Sequence, residues 1–170
     1  MDLQLKNKIA LVTGSTAGIG ESIAKTLAQE GARVVIHGRK ADAAKRVTAE
    51  ILETGGQATS VLGDLADDKQ AAQVATAAKD AFGQIDILIN NAGVFPQRGW
   101  WDSTPTQWVE LYNQNVASMV RMIQAFVPDE EEWLGQSDQY FQWCRFSTIG
   151  RNAGLCCYQV RQYSDHGQSG

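Results

Sequence analysis

Three glycines early in the 170-residue chain have the spacing of a phosphate-binding turn. Gly14, Gly18 and Gly20 separate a short aliphatic run from a segment with helical periodicity. In such a turn the first glycine permits a tight bend, the second admits a ligand close to the backbone, and the third lets the helix pack closely. The N–H groups at the start of the helix then face a pyrophosphate. The stretch therefore predicts a dinucleotide-binding turn, and the alternative is a tight turn that binds no ligand.

The turn belongs to a chain in which strand patterns and helix patterns alternate. Apolar runs of strand length predict strands at residues 8–13, 33–37, 58–62 and 85–90. Periodic apolar positions predict helices at residues 19–30, 42–53, 67–82 and 105–126. Continuous aliphatic strands are typical of a sheet that is buried on both faces. The order of elements therefore predicts an α/β, doubly wound fold with a parallel sheet between two layers of helices.

The overall composition is typical of one soluble domain with small-molecule partners. Hydrophobic residues make up 44% of the chain, and the formal net charge is -4. Because the chain has no basic stripe and no long apolar run, the sequence predicts no nucleic-acid partner and no membrane segment. Cys144, Cys156 and Cys157 fit neither a disulfide framework nor a zinc site, so no metal is predicted. With no signal-peptide pattern, the prediction is a cytoplasmic protein.

The composition changes sharply near Pro128. Residues 1–128 contain 20 alanines, 7 lysines and no cysteine, whereas residues 129–170 contain one alanine, no lysine and all three cysteines. Such a break indicates a boundary between unlike segments. We therefore divide the chain into a dinucleotide-binding domain, residues 1–128, and an aberrant tail, residues 129–170.

Three motifs follow the glycine-rich turn in order. Asp64-Leu65 follows the third predicted strand, Asn90-Asn-Ala-Gly93 follows the fourth, and Asn115 begins the sequence Asn-Val-Ala-Ser-Met-Val-Arg. With these four motifs in order, residues 1–128 closely resemble a classical short-chain dehydrogenase/reductase. The resemblance implies hydride transfer between NAD(P)H and a small carbonyl or alcohol substrate. It also implies a Rossmann-type parallel sheet of strand order 3-2-1-4, truncated because the later strands are missing or replaced by an irregular tail.

The resemblance assigns roles to individual residues. Asn115 matches the family's catalytic asparagine, which holds a water in a proton relay. The cofactor-binding positions that it implies are Gly14, Ser15, Thr16, Gly18, Ile19, Gly20, Asp64, Leu65, Asn91, Ala92 and Gly93. In the complete fold a fifth strand covers the fourth, so the strand at residues 85–90 is expected to be an exposed aliphatic edge here. The family's homo-oligomer interface is expected to be lost with the missing helices.

The choice of cofactor is predicted from the end of the second strand. An acidic residue there would bind the ribose 2'-hydroxyl of NAD, but the sequence is His37-Gly38-Arg39-Lys40. A guanidinium can hold a 2'-phosphate through two hydrogen bonds, so Arg39 favours NADP(H) over NAD(H). The alternative is that Arg39 is a solvated loop charge. No partner for His37 is visible in the sequence, and we interpret it as structural.

The residues that would complete the family's chemistry are missing from the tail as written. The resemblance requires a proton-transferring tyrosine, a lysine four positions later, and a serine with twelve residues between it and the tyrosine. The tail offers Ser147 and Tyr158, with ten residues between them, and Gln162 at the lysine position. Glutamine has no charge that would favour a tyrosinate. Ser147 and Tyr158 are therefore unsuitable substitutes, and the chain is predicted to bind a cofactor without turnover.

A shifted reading of the codons accounts for the missing residues. If codons 132–143 are read one base later, permitted third bases yield Ser-Gly-Trp-Gly-Arg-Val-Ile-Asn-Ile-Ser-Ser-Gly, which has the pattern of a strand ending at a serine. Codons 154–159 yield Val-Tyr-Ala-Ala-Thr-Lys in the same shifted frame. A serine at codon 142, a tyrosine at codon 155 and a lysine at codon 159 then have the family's spacing. We therefore interpret residues 129–170 as an out-of-frame tail.

Two other interpretations of the chain stay open. One is a non-functional translation product. The other is a non-catalytic interaction protein, in which the tail's aromatic residues bind a partner or collapse onto the sheet. These residues are Trp133, Tyr140, Phe141, Trp143 and Phe146.

Overall fold

A computed structural model describes residues 3–98, 101–126 and 157–160 of the chain. Strands β1 to β5 span Ile9–Val12, Arg33–Gly38, Gln57–Leu62, Ile87–Asn90 and Cys157–Val160. Helices α1 to α5 span Gly18–Gln29, Ala41–Glu53, Asp68–Phe82, Pro105–Tyr112 and Ser118–Phe126. A π-helical turn, Asn113–Ala117, joins α4 to α5. The alternation of strands and helices predicted from the sequence is therefore confirmed.

The strands form one sheet of order β3-β2-β1-β4-β5. The first four are parallel, and Leu11 of β1 pairs with Val35 of β2 and Leu88 of β4. Parallel strands need crossover connections, and the helices provide them. The predicted Rossmann-type order 3-2-1-4 is confirmed. The carboxyl ends of β1, β2, β3 and β4 all lie at one edge of the sheet, where loops can form a ligand site.

Alternate strand residues fill two separate cores on opposite faces of the sheet. On one face Leu11 and Val35 pack with Val74 of α3 and Met122 of α5. On the other face the neighbouring strand residues pack against α1 and α2. Side chains that alternate between faces must be apolar at every position when both faces are covered. The continuous aliphatic runs in the sequence thus follow directly from the two-sided burial.

The expectation that β4 forms an exposed edge is wrong. Cys157–Val160 pairs with β4 in antiparallel register, with Val160 opposite Ile87 and Cys157 opposite Asn90. An unpaired edge would leave a row of backbone N–H and C=O groups without partners, and β5 pairs with that row. The rest of the tail, including the aromatic residues predicted to collapse on the sheet, lies outside the described residues. Within the described residues, no helix is both long and apolar enough to cross a membrane.

The helix predicted at residues 105–126 is interrupted once. It begins with a capping box, in which Thr104 Oγ1 accepts from the Gln107 N–H and the Gln107 side chain accepts from the Thr104 N–H. The π-helical turn then widens the helix at Asn113–Ala117. Such single turns concentrate at functional sites. Here the turn contains Asn115, the residue that matches the family's catalytic asparagine.

Candidate cofactor site

The glycine-rich turn joins β1 to α1 at the carboxyl edge of the sheet. Gly14 and Gly18 have φ values of +64° and +59°, which L side chains rarely adopt. Gly20 has a different reason to be glycine, because a Cβ there would lie 2.5 Å from the Gly14 carbonyl oxygen. The helix N-cap is Ala17, which has no polar side chain to accept from the first-turn N–H groups. The turn therefore has the geometry of an anion cradle at a helix N-terminus.

The segment after β4 holds this turn in place. Thr13 Oγ1 accepts from the N–H groups of Asn91 at 2.9 Å and Ala92 at 3.0 Å, and donates to the Ile89 carbonyl at 3.2 Å. Asn91 Nδ2 donates to the carbonyls of Thr13 at 3.0 Å and Gly14 at 3.1 Å. The Asn91 side chain therefore holds the glycine-rich turn by donating to the backbone carbonyls of that turn.

Seven of the predicted cofactor-binding residues line one cleft at the strand ends. These residues are Gly14, Thr16, Arg39, Asp64, Leu65, Ala92 and Gly93. His37, Gly38, Ala66, Val94 and Gln114 complete its lining. The cleft therefore brings the ends of β1, β2, β3 and β4 together, as the doubly wound topology requires.

Other predicted residues lie apart from the cleft lining. Ser15 is fully buried, and its Oγ donates to the Val12 carbonyl at 2.7 Å and accepts from the His37 N–H at 2.9 Å. Its hydroxyl is thus committed to the fold. Ile19 is 69% exposed at the start of α1. Ser147 lies outside the described residues, and Tyr158 lies in β5 with its Cα paired with that of Ile89.

Arg39 and Asp64 face each other across the rim of the cleft. Arg39 Nη1 lies 3.7 Å from Asp64 Oδ2, and their side chains are 61% and 41% exposed. An exposed ion pair at this distance contributes little to stability, because water screens both charges. Both groups are therefore accessible to a ligand.

Asn115 connects the π-helical turn to the chain after β4. Its Oδ1 accepts from the Val94 N–H at 2.8 Å, and its Nδ2 donates to the carbonyls of Val94 at 3.0 Å and Leu111 at 3.1 Å. A Cβ on Gly93 would lie 2.6 Å from Asn115 Oδ1, so the contact requires glycine there. The carboxamide thereby sets the path of the segment that lines the cleft.

Asn113 and Arg121 were not singled out in the sequence, yet they anchor the loop that follows β3. Asn113 Nδ2 donates to the Ala66 carbonyl at 3.0 Å, and Arg121 Nη1 donates to the Leu65 carbonyl at 3.3 Å. Arg121 Nη1 also donates to Asn113 Oδ1 at 2.9 Å, and its Nε pairs with Asp68. No local signal marks these contacts, because they join segments about fifty residues apart.

His37, interpreted from the sequence as structural and without a visible partner there, has a partner at each ring nitrogen in the structure. Its side chain is 3% exposed and lies between the glycine-rich turn and the loop after β3. Its Nδ1 accepts from the Gly14 N–H at 3.1 Å, and its Nε2 lies 3.1 Å from the Gly63 carbonyl oxygen. Burial lowers the pKa of the imidazole below its usual value. The only sequence signal of this role is the position of His37 at the end of the second predicted strand.

With this site at the strand ends, the chain belongs to the short-chain dehydrogenase/reductase family. The family's sequence profile, described as short chain dehydrogenase, matches residues 8–136. The uncharacterized oxidoreductase YvrD of Bacillus subtilis (strain 168) is 41% identical over 128 residues, covering 75% of this chain and 48% of YvrD.

Solved structures of the family superpose on the chain. L-Sorbose reductase from Gluconobacter frateurii, complexed with NADPH and L-sorbose, gives a TM-score of 0.72 at 31% identity, covering 75% of this chain and 49% of that one. A 7 alpha-hydroxysteroid dehydrogenase complexed with NADH and 7-oxo glycochenodeoxycholic acid gives 0.72 at 37% identity, covering 77% and 51%. The chain spans about half the length of the curated relatives it matches.

Proposed function

We propose that this chain is a nicotinamide-dinucleotide-binding unit of a short-chain oxidoreductase and that it favours NADP(H) over NAD(H). The observation that carries the proposal is the position of Arg39, just after β2 at the rim of the cleft. NADP(H) differs from NAD(H) by a phosphate on the adenosine ribose, and a guanidinium can hold a phosphate through two parallel hydrogen bonds. An acidic residue would repel that phosphate, but the residue after Arg39 is Lys40.

The Arg39–Asp64 pair supports this preference energetically. Its 3.7 Å separation and the exposure of both side chains mean that little is lost when the guanidinium turns towards a phosphate. The phosphate carries more negative charge than a carboxylate at neutral pH, so it attracts the guanidinium more strongly. Asp64 then stays available for the adenosine end, as the family resemblance implies.

The glycine-rich turn and the remaining residues of the cleft fit a dinucleotide. The N-terminus of α1 with Gly14, Gly18 and Gly20 suits the pyrophosphate, and no side chain at these positions obstructs it. By the family resemblance, Leu65 contacts the adenine, and Ala92 and Gly93 lie beside its ribose. A bound nicotinamide supplies or accepts the hydride. The substrate class is a small carbonyl or alcohol, and Asn115 is the one family catalytic residue that the chain retains.

Cofactor titrations with purified protein test the preference. We expect NADPH to bind at least about 10-fold more tightly than NADH, because a charge-assisted contact to phosphate is worth about 1.5 kcal/mol or more. Arg39→Leu should remove most of that difference by weakening NADPH alone. Lys45→Leu, which removes an exposed cation further along α2, is the matched control. Equal affinities of the unaltered chain for the two cofactors would contradict the NADP(H) preference.

We also propose that residues 129–170 are an out-of-frame tail and that the chain as written lacks turnover. The compositional break near Pro128 and the serine, tyrosine and lysine in the shifted frame support this interpretation. Sequencing both strands across codons 126–134 tests it. A DNA sequence that cannot encode the shifted motif would refute the frame change. Expression of the frame-restored gene should yield carbonyl reductase activity that the present chain lacks.

The division into residues 1–128 and 129–170 stays a prediction, as does a cytoplasmic location.

The alternative functions have distinct outcomes in the same cofactor titrations. Binding of NADPH without turnover supports the cofactor-binding unit, and turnover by the present chain contradicts the loss of the proton donor. A folded chain that binds no dinucleotide favours an interaction protein, whereas a chain that does not fold favours a non-functional product.

A further inference from the structure

We infer that His37 is a positioning residue for the dinucleotide, because its neutral imidazole ties the glycine-rich turn to the loop after β3. The inference rests on the proposed cofactor binding and extends it to a residue outside the family motifs described above. His37 lines the cleft, yet only 3% of it is exposed, so its ring contacts protein atoms rather than bulk solvent. The hydrogen-bond partners of the ring determine its tautomer and its protonation state.

The two ring nitrogens of His37 have partners of opposite kind. The Gly14 N–H can only donate, so Nδ1, at 3.1 Å, must accept. The Gly63 carbonyl can only accept, so Nε2, at 3.1 Å, must donate. These neighbours select the neutral tautomer with hydrogen on Nε2. A protonated ring would place an N–H on Nδ1 against the Gly14 N–H, and the two donors would repel each other.

The backbone of His37 reinforces the connection made by its ring. Its N–H donates to Ser15 Oγ at 2.9 Å, and its carbonyl accepts from the Ser15 N–H at 2.9 Å. One residue at the end of β2 therefore contacts both Gly14 and Ser15 at the beginning of the turn. Through Gly63, the same ring reaches the residue directly before Asp64. The distance between the pyrophosphate side and the adenosine side of the cleft thus depends on this imidazole.

Two charged groups near the ring shift the pKa of His37 in opposite directions. Asp64, after β3, favours the protonated imidazole, and Arg39, after β2, disfavours it. The glycine-rich turn, residues 13–20, presents no titratable side chain. Burial outweighs the other influences and keeps the ring neutral near neutral pH. Because the folded state disfavours the protonated ring, we expect its positioning effect to be present at neutral pH and to be lost as the pH falls through the lowered pKa of His37.

Two substitutions separate positioning from simple packing. His37→Asn keeps a carboxamide oxygen near the Nδ1 position, where it can accept from the Gly14 N–H, and it does not titrate. His37→Leu fills similar space but accepts nothing. The probe is NADPH, titrated against each chain from pH 8 to pH 4.5. Every variant keeps Arg39 and Asp64 at the rim, so we expect titration of the cofactor's phosphate to affect all of them alike, and His37→Asn is the reference for the pH profile.

At pH 8 we expect His37→Asn, which keeps the Gly14 contact and loses the Gly63 contact, to bind NADPH about 3-fold more weakly than the unaltered chain. His37→Leu, which loses both contacts, should bind at least about 10-fold more weakly. On acidification the unaltered chain should lose at least about 5-fold more affinity than His37→Asn. Identical pH profiles for these two chains would overturn the inference, even if His37→Leu fails to fold. Binding to the unaltered chain together with full affinity of a folded His37→Leu would also overturn it, without touching the proposed function. If the unaltered chain binds no NADPH at any pH, the proposed function fails and the inference fails with it.

Discussion

The carboxamide of Asn115 makes a pair of hydrogen bonds with the backbone of Val94. Oδ1 accepts from the Val94 N–H at 2.8 Å, and Nδ2 donates to the Val94 carbonyl at 3.0 Å. With the further bond to the Leu111 carbonyl, Asn115 uses both of its N–H donors on the backbone. The asparagine in the π-helical turn therefore controls where the chain after β4 lies. In this chain it has a structural role that does not require a proton donor nearby.

Asn115→Ala should lower the free energy of unfolding by about 2 kcal/mol, because part-buried N–H and C=O groups lose their partners. Urea denaturation monitored by circular dichroism measures the change. Gln124→Ala, at an exposed position of α5, is the control and should change stability by less than about 0.5 kcal/mol. Equal stability of the two variants would show that the Val94 contacts contribute nothing.

Alanine at two glycines of the turn should have unequal effects. At Gly18 a Cβ meets nothing within 4 Å, so only the positive φ is strained, which costs about 1 kcal/mol. At Gly20 a Cβ lies 2.5 Å from the Gly14 carbonyl oxygen, and the backbone must shift at a cost of about 3 kcal/mol. Thermal or urea unfolding gives the two values.

The same pair of glycine variants also reports on the ligand site. Gly18 has open space beside it where the pyrophosphate would lie, so we expect Gly18→Ala to weaken NADPH binding despite its small cost in stability. A folded Gly20→Ala should weaken binding through the displacement of Gly14. NADPH affinity that is unchanged in both folded variants would argue against the turn as the pyrophosphate cradle.

The contribution of Thr13 to stability should come from its hydroxyl group rather than from its methyl group. Its Oγ1 accepts from two backbone N–H groups, those of Asn91 and Ala92, at a position that is 1% exposed. Thr13→Val has nearly the same shape but leaves both donors without this acceptor, so we expect a loss of about 2 kcal/mol. Thr13→Ser keeps the hydroxyl and should lose about 1 kcal/mol or less. Unfolding free energies in urea separate the two, and a valine variant as stable as the serine variant would contradict the assigned role.

A charged cluster should make stability depend on pH through Glu21. Hydrogen bonds from Arg46 and Lys25 lower the pKa of Glu21 to about 2. A carboxyl whose folded-state pKa lies below its unfolded value stabilises the fold above the unfolded pKa, and this contribution is lost as the pH falls from about 4.5 to about 2. After allowance for solvent screening, we expect Glu21→Gln to cost about 1 kcal/mol at pH 7.

When urea unfolding is repeated, the cost of Glu21→Gln should be nearly unchanged at pH 5 and clearly smaller at pH 3. Glu53→Gln, an exposed glutamate at the end of α2, should cost less than about 0.5 kcal/mol at each pH. The cluster also bears on the cofactor site, since Arg46 Nη2 donates to the Thr16 carbonyl in the glycine-rich turn at 3.1 Å. A cost that does not change with pH would mean that Glu21 acts through packing rather than charge.

The sequence by itself was sufficient to predict the fold of residues 3–98 and 101–126 and the family. Aliphatic runs, helical periodicity and the glycines at 14, 18 and 20 are local signals, because each reflects the backbone conformation and burial of its own segment. The same local pattern gave no sign of the π-helical turn at Asn113–Ala117, since one extra residue in a helical turn changes no periodicity over so short a span.

Only the tertiary structure decided how the motifs act on one another. His37 contacts Gly14, Asn115 contacts Val94, and Asn113 contacts Ala66, each across a long separation in the chain. It also decided that Cys157–Val160 pairs with β4 and closes the edge expected to be open. These contacts form because the folded sheet brings the ends of its strands close together. Composition and spacing along the chain do not specify which residues at those ends become neighbours.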